Sequence, residues 1–495
     1  MAAHPPSHRG QVLWPTTVSV GLLALILVSP RLLASFSQFD GGIAASGATF
    51  TMHGLLPYRD YWLLYGPLSG YLLAIPTALF GPTIEALRIA GLVIVFAEAA
   101  IGYRLACRWT TRFPAAVIGI AAAILPAALL GVDLSAWNLA MALSLAGVYF
   151  ATGASRWAVL GGVLIGLAFM SRLDMGAYAL LACLVTRERL RVIAGFSLIA
   201  LPFAALSIVT TPLADLVEQL IWFPLVGQRT FRDLPGLAAE LGDSAGLALA
   251  IPLVIIPRAL IVAAILRGIG RRPVERGLLA LGLFALLCQL QTVGRTDMHH
   301  YTQAATPALL LVAAFLQPFR PRSAVVLAVP AALVFILAGI GLVGGYINST
   351  SDRDDDLVAA TRFVRSITSP EETIFVGLTS HRHAFNDPLI AYYLADRLPG
   401  TMHTLFNPGV TNTDATQRRI VRELRERGTR VLLLDSRYAD TFEPANDSRI
   451  AGSRILDDHI AEEYALVCTF GDYHLMVKRD SAMPPPACPG PAATP

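Results

Sequence analysis

FDGGIAASGATFTMHGLLPYRDYWLLYGP, Phe39 to Pro67, decides how the rest of the chain is read. It follows an apolar run, Val12–Leu33, that is long enough to cross a bilayer. It then gathers Asp40, His53, Arg59 and Asp60 among the rings of Tyr58, Tyr61, Trp62 and Tyr65. Carboxylates just beyond a membrane span are costly unless they meet water, a partner or a substrate. Asp40 and Asp60 therefore read as the chemical end of a membrane enzyme.

The 495 residues are 55% hydrophobic and 15% charged. Soluble domains carry about 25% charged residues, so most of this chain is expected in lipid. A formal net charge of +3 does not suggest nucleic acid as a partner. Five cysteines without CxxC spacing argue against a zinc site or a disulfide framework. Cys107, Cys183 and Cys288 sit in apolar runs as packing residues, and Cys488 lies in a Pro-rich tail, which argues against a bond to Cys468.

The Val12–Leu33 run lacks a small-residue cleavage site and is expected to stay as the first helix. Ten further runs suit helical spans: Ala86–Leu105, Pro114–Gly131, Leu139–Thr152, Trp157–Ser171, Met175–Val185, Val192–Thr210, Ala245–Leu266, Gly277–Val293, Ala304–Phe319 and Ala324–Tyr346. The expected fold is a multi-pass α-helical membrane protein with about 11 transmembrane helices. Pro67–Phe80, interrupted by Gly70 and Pro76, is expected not to cross. With that choice, Arg9, Arg104–Arg112, Arg156, Arg187–Arg191, Arg267–Arg276 and Arg320–Arg322 all fall on one side, as the positive-inside bias requires. The N-terminus is then cytoplasmic and the first loop, 34–85, faces out. Joined into one helix, Trp157–Ser171 and Met175–Val185 would run for about 45 Å, burying Arg172 and Asp174 in mid-bilayer. Two short spans turning at SRLDMG are expected instead.

Residues 1–350 form the membrane domain, 351–480 a C-terminal α/β domain placed outside by the span count, and 481–495 a disordered tail. Thr373–Gly377, Arg430–Asp435, Ala465–Phe470 and Tyr473–Lys478 read as strands. Asp414, with Gln417 three residues on, reads as the cap of a helix running to Gly428. No internal repeat is visible.

The outer loops hold the remaining polar candidates: Arg172 and Asp174 in one turn, and Arg295, Asp297, His299 and His300 in GRTDMHHY. Carboxylates beside cations at the outer membrane edge suit sugar transfer from a lipid-phosphate donor. A carboxylate takes the proton of an acceptor hydroxyl, and guanidinium or imidazolium groups stabilise the departing phosphate. A preformed activated donor also supplies the energy where ATP is absent.

The pattern FD…MHGLLPYRDYW…YGPLSGYLLAIPTALFGPTIEALRIAG resembles the first outer loop and following helix of GT-C glycosyltransferases. These are polyprenyl-phosphate-sugar-dependent membrane enzymes related to protein O-mannosyltransferases and aminoarabinose transferases. SRLDMGAY and GRTDMHHYTQAATP are similar to later outer-loop motifs of that group. The resemblance implies an inverting transfer, metal-independent or assisted by a divalent cation, with Asp40 as base and Asp60 as the second acidic residue. Gly41 and Gly42 stand where many relatives carry another acidic residue, which removes a carboxylate from any two-carboxylate metal site there.

The expected activity is therefore transfer of a sugar from a polyprenyl-phosphate donor to a hydroxyl of a glycan, lipid or protein acceptor at the outer face of the cell membrane. His53, Arg59, Tyr61, Arg172, Asp174, Arg295, Asp297, His299 and His300 are the expected substrate-binding residues. Simpler roles compete at each position. Asp40 could cap the helix that starts at Gly41, Asp60 could pair with Arg59, Arg172 could pair with Asp174, and the tyrosines and Trp62 could anchor at the interface. A lipid-linked glycan ligase shares the same topology. A transporter would place polar groups near the midplane and show repeated halves, neither of which is seen.

Overall fold

The computed structural model describes residues 14–33, 36–227, 251–271, 273–294, 298–316, 352–383, 387–406, 409–437, 452–480 and 488. The expected span Ala324–Tyr346 lies outside them, as do Arg295 and Asp297. Every other expected span falls mainly on helix where its residues are described. In chain order these helices are α1 (Trp14–Val28), α2 (Asp40–Met52), α3 (Leu68–Phe80), α4 (Ile84–Ala106), α5 (Arg112–Leu130), α6 (Ala136–Ala151), α7 (Ala158–Ser171), α8 (Leu173–Cys183), α9 (Arg189–Thr210), α10 (Ile256–Gly270), α11 (Arg276–Cys288) and α12 (Met298–Phe315). Among the described residues, 5 helices are long and apolar enough to cross a membrane. Lipid gives helices no hydrophobic reason to associate, so small residues that let backbones approach do much of the packing. A Cβ on Gly162 of α7 would sit 2.0 Å from the Val192 carbonyl oxygen of α9, and one on Gly195 of α9 would sit 2.1 Å from that of Val159.

A Cβ on Gly166, one turn beyond Gly162, would meet Phe196 and Ile199, about one turn beyond Val192, so α7 and α9 run parallel and α8 must return between them. The chain breaks at Arg172, whose φ of −150° and ψ of 112° are extended. A Cβ on Gly176 would lie 2.4 Å from Phe169 backbone, so α8 folds back directly against α7.

The arginine-bearing loops meet at one end of the bundle. Arg108 bonds Thr152, Arg191 bonds Ser155, Arg276 reaches the Val185 carbonyl, and Trp109 bonds Glu275. The segments holding Asp40, Asp133, Arg172 and His299 join the opposite helix ends.

The C-terminal sheet consists of β1 (Thr373–Leu378), β2 (Leu398–Pro399), β3 (Val431–Asp435), β4 (Tyr464–Phe470) and β5 (Tyr473–Lys478), in the order β2-β1-β3-β5-β4. Strands β2, β1 and β3 are parallel, while β5 is antiparallel to both β3 and β4. Alternation splits its residues between two cores. Phe375, Leu432 and Leu434 pack under the helices Asp414–Glu426 and Ile455–Glu463. Ile374, Val376, Val431 and Leu433 share a core with Phe50, Tyr61 and Trp62 of the first loop.

Three expectations are corrected here. The helix starting at Asp414 is capped by Thr413, whose hydroxyl accepts from Thr416 N, so Asp414 is in the first turn instead. Cys468 and Cys488 are disulfide-bonded, Cys488 lying against β4 with its Sγ also 2.9 Å from the Val467 carbonyl oxygen. Tyr58, Tyr61 and Trp62 are no more than 2% exposed, packed between the loop and the sheet domain and not at a lipid interface.

Candidate active site

Phe39, not Asp40, stands at the N-cap of α2, and the Ser37 hydroxyl caps the helix by accepting from Gly41 N at 3.1 Å. That leaves the Asp40 carboxylate free of a capping role in the first turn, where the helix dipole favours its charge. The segment before it is held from two sides. Ser37 N donates to Asp133 Oδ2 at 2.7 Å. Gln38 accepts at its carbonyl from Ile390 N at 3.1 Å, and at Oε1 from Arg437 Nη2 at 3.0 Å and Tyr473 OH at 3.1 Å.

Asp133 is itself fixed by the start of α6. Ser135 Oγ accepts from Asn138 N, the Asn138 side-chain oxygen accepts from Ser135 N, and Asn138 Nδ2 donates to the Asp133 carbonyl at 2.9 Å. His299, in the first turn of α12, brings Nε2 to 3.8 Å from Asp40 Oδ2, and its ring lies 5.8 Å from that of His300. Asp40 and His299 are each about one-third exposed.

Arg172 lies within electrostatic reach of Asp40. Its Nε donates to Asp174 Oδ1 at 2.9 Å, and its guanidinium carbon lies 5.1 Å from the Tyr65 ring centre. Burial lowers the guanidinium pKa, but Asp174, Tyr65 and Asp40 more than offset that, so the pKa ends above its ordinary value. Arg172 is therefore a permanently charged group whose field reaches Asp40.

A cleft enclosing about 500 Å³ of space, part of it open to solvent, has Asp40, Asp133, His299, Glu98, Gln303 and Trp137 on its walls. Among the described residues no three His, Cys, Asp or Glu side chains come together to hold a metal ion.

The remaining sequence candidates sit elsewhere. His53 closes the far end of α2, about 20 Å from Asp40 along the helix, with Nε2 3.5 Å from Asp396 Oδ1. Asp60 accepts a two-pronged bond from Arg59, at 2.8 and 2.7 Å, and a third from Leu56 N. None of these lines the cleft, and the Tyr61 ring packs at a tilt against Phe50 in the buried core, 4.9 Å between centres.

The sequence reading missed Asp133, Glu98, Trp137 and Gln303. A signal existed for Asp133: it stands in GVDLSAWN, an aspartate after an apolar run, as Asp40 does. Glu98 is a carboxylate inside the run Ala86–Leu105, where charge is expensive without a purpose.

No family model matches the chain, and no curated protein matches it. Solved structures do. ArnT from Cupriavidus metallidurans in the apo state matches with a TM-score of 0.59 at 13% identity, over 93% of this chain and 97% of that one. The same protein bound to undecaprenyl phosphate gives 0.57 at 14%, over 93% and 97%. The arabinofuranosyltransferase AftD from Mycobacteria gives 0.50 at 14%, over 94% of this chain and 40% of that one. At such identities the likeness is one of fold, and the chain has the fold of the GT-C membrane glycosyltransferases, the group that its first-loop motif resembles.

Proposed function

We propose that the protein transfers a sugar from a polyprenyl-phosphate donor to an acceptor hydroxyl at the outer face of the membrane, with inversion. The carrying observation is the meeting of Asp40 and His299, from opposite ends of the membrane sequence, on one cleft wall within reach of the Arg172 charge. The undecaprenyl phosphate bound by the similar ArnT structure supports a donor of that type.

Asp40 accepts the proton of the acceptor hydroxyl as its oxygen attacks the anomeric carbon. The bond from that carbon to the phosphate oxygen breaks on the opposite side, and its electrons leave with the polyprenyl phosphate. Arg172, with His299 when protonated, stabilises the developing charge. Two features support the outer face: the basic loops gather at the end away from the cleft, and the Cys468–Cys488 bond suits an oxidising compartment.

The test is transfer by purified protein in nanodiscs, supplied with labelled polyprenyl-phosphate sugars and a panel of hydroxyl acceptors. Asp40→Asn is expected to lower turnover by about 10²–10⁴-fold with insertion and thermal unfolding unchanged. Undiminished turnover removes Asp40 as base, and a product of retained configuration removes the single displacement.

A further inference from the structure

Glu98 on α4, Trp137 at the start of α6 and Gln303 on α12 all line the cleft and are 3%, 4% and 2% exposed. Glu98 Oε1, Trp137 Nε1 and Gln303 Oε1 are each buried without a hydrogen-bond partner. Such atoms are costly inside a helix bundle, where neither water nor backbone compensates them. One could be accidental. Three from separate helices, facing the same cleft, read as a site whose partner is the ligand.

We propose that these side chains form the subsite for the donor's sugar ring, an inference that rests on the transferase reading above. Glu98 Oε1 and Gln303 Oε1 accept from ring hydroxyls, and Trp137 Nε1 donates to a ring or hydroxyl oxygen. Val95 and Ala127 on the same wall offer apolar contact to the ring's C–H faces. An anion does not fit, because the Asp133 and Asp40 carboxylates on the same cleft repel it. The phosphate therefore belongs on the side of Arg172 and His299. Side chains within α4, α6 and α12 thus select the sugar, while Asp40, His299 and Arg172 at the helix ends carry out the transfer.

The test compares the affinity of the full-length protein for bare undecaprenyl phosphate with that for undecaprenyl-phosphoryl glucose, mannose, arabinose and an amino sugar. Wild type is expected to bind at least one sugar-bearing lipid more tightly than the bare lipid. Glu98→Leu and Gln303→Leu should each cut that advantage by roughly tenfold, and Trp137→Phe by about threefold, the worth of single hydrogen bonds. Affinity for the bare lipid should stay within about twofold. The unfolding midpoint should hold or rise, since each change removes an unpaired buried polar atom. Equal losses for both lipids, or a lower midpoint with the sugar advantage intact, overturn the subsite. Sugar-dependent binding through Glu98 without transfer to any acceptor leaves the subsite standing and removes the transferase reading. Transfer with unaltered donor preference in all three variants does the reverse.

Discussion

The two aspartates of the first loop have the same chemistry and opposite surroundings. Asp60 is saturated by Arg59 and the Leu56 amide, whereas Asp40 lines the cleft with the His299 imidazole 3.8 Å from its Oδ2 and the Arg172 charge within electrostatic reach. Asp60→Asn is accordingly expected to keep transfer within a few-fold of wild type and to change stability by no more than about 1 kcal/mol, the usual worth of a partly exposed pair. Transfer kinetics and thermal unfolding of that variant check both halves, and a loss matching that of Asp40→Asn would return Asp60 to the chemistry. Asp133 acts through the backbone. Asp133→Ala leaves Ser37 N without its acceptor, which costs about 1–3 kcal/mol and lets the Asp40 segment drift, so turnover should fall with little change in donor affinity.

Helices place these residues through close backbone approaches that admit no side chain. A Cβ on Gly42 would lie 2.7 Å from Ile390 N, at the contact where α2 meets the sheet domain. One on Gly66 would lie 1.9 Å from the Met170 carbonyl oxygen, beside the Gly66 N to Ser171 O bond that ties the first loop to α7. Overpacking of this kind costs about 1–3 kcal/mol. Gly66→Ala should therefore lower the unfolding midpoint and, by displacing the Arg172 turn, raise the apparent KM for donor. A variant with wild-type stability and KM would show that the loop does not set the position of Arg172.

The sheet domain is joined to the membrane part by a common core rather than a tether. Trp62 N donates to the Met402 carbonyl at 2.7 Å, and the Trp62 ring stacks on His403 at 5.5 Å. Burial, with Arg419 adding to it and Glu423 opposing, pushes the His403 pKa down to about 4. Between about pH 6.5 and 4 the unfolded chain binds a proton that the folded one does not. The stability held above pH 6.5 is therefore lost as pH falls through 4. His403→Phe should flatten that part of the pH dependence of the unfolding midpoint; an unchanged slope would assign it to other groups. Arg437→Ala tests the same joint from the Gln38 side. It removes one of the bonds that hold the residue two before Asp40, so turnover should drop while the sheet domain itself stays folded by limited proteolysis.

The sequence determined the helical membrane body, the four longer strands and the place of Asp40, because these depend on hydropathy, alternation and residue type within short windows. It separated α7 from α8 at Arg172, since a buried charge argued against continuity. It also showed that the basic loops share a side. It did not show that His53 lies a helix length from Asp40, that Asp60 is off the cleft, that Asp133 grips Ser37, or that Tyr61 and Trp62 are buried under the sheet domain. Those facts depend on which segments meet, and no local pattern encodes a meeting between residues nearly a hundred positions apart, or between residue 38 and residue 437. Tertiary structure alone gathered Asp40, Asp133, Glu98, Trp137, His299 and Gln303 around one cleft, because packing of the whole bundle sets the space between helices.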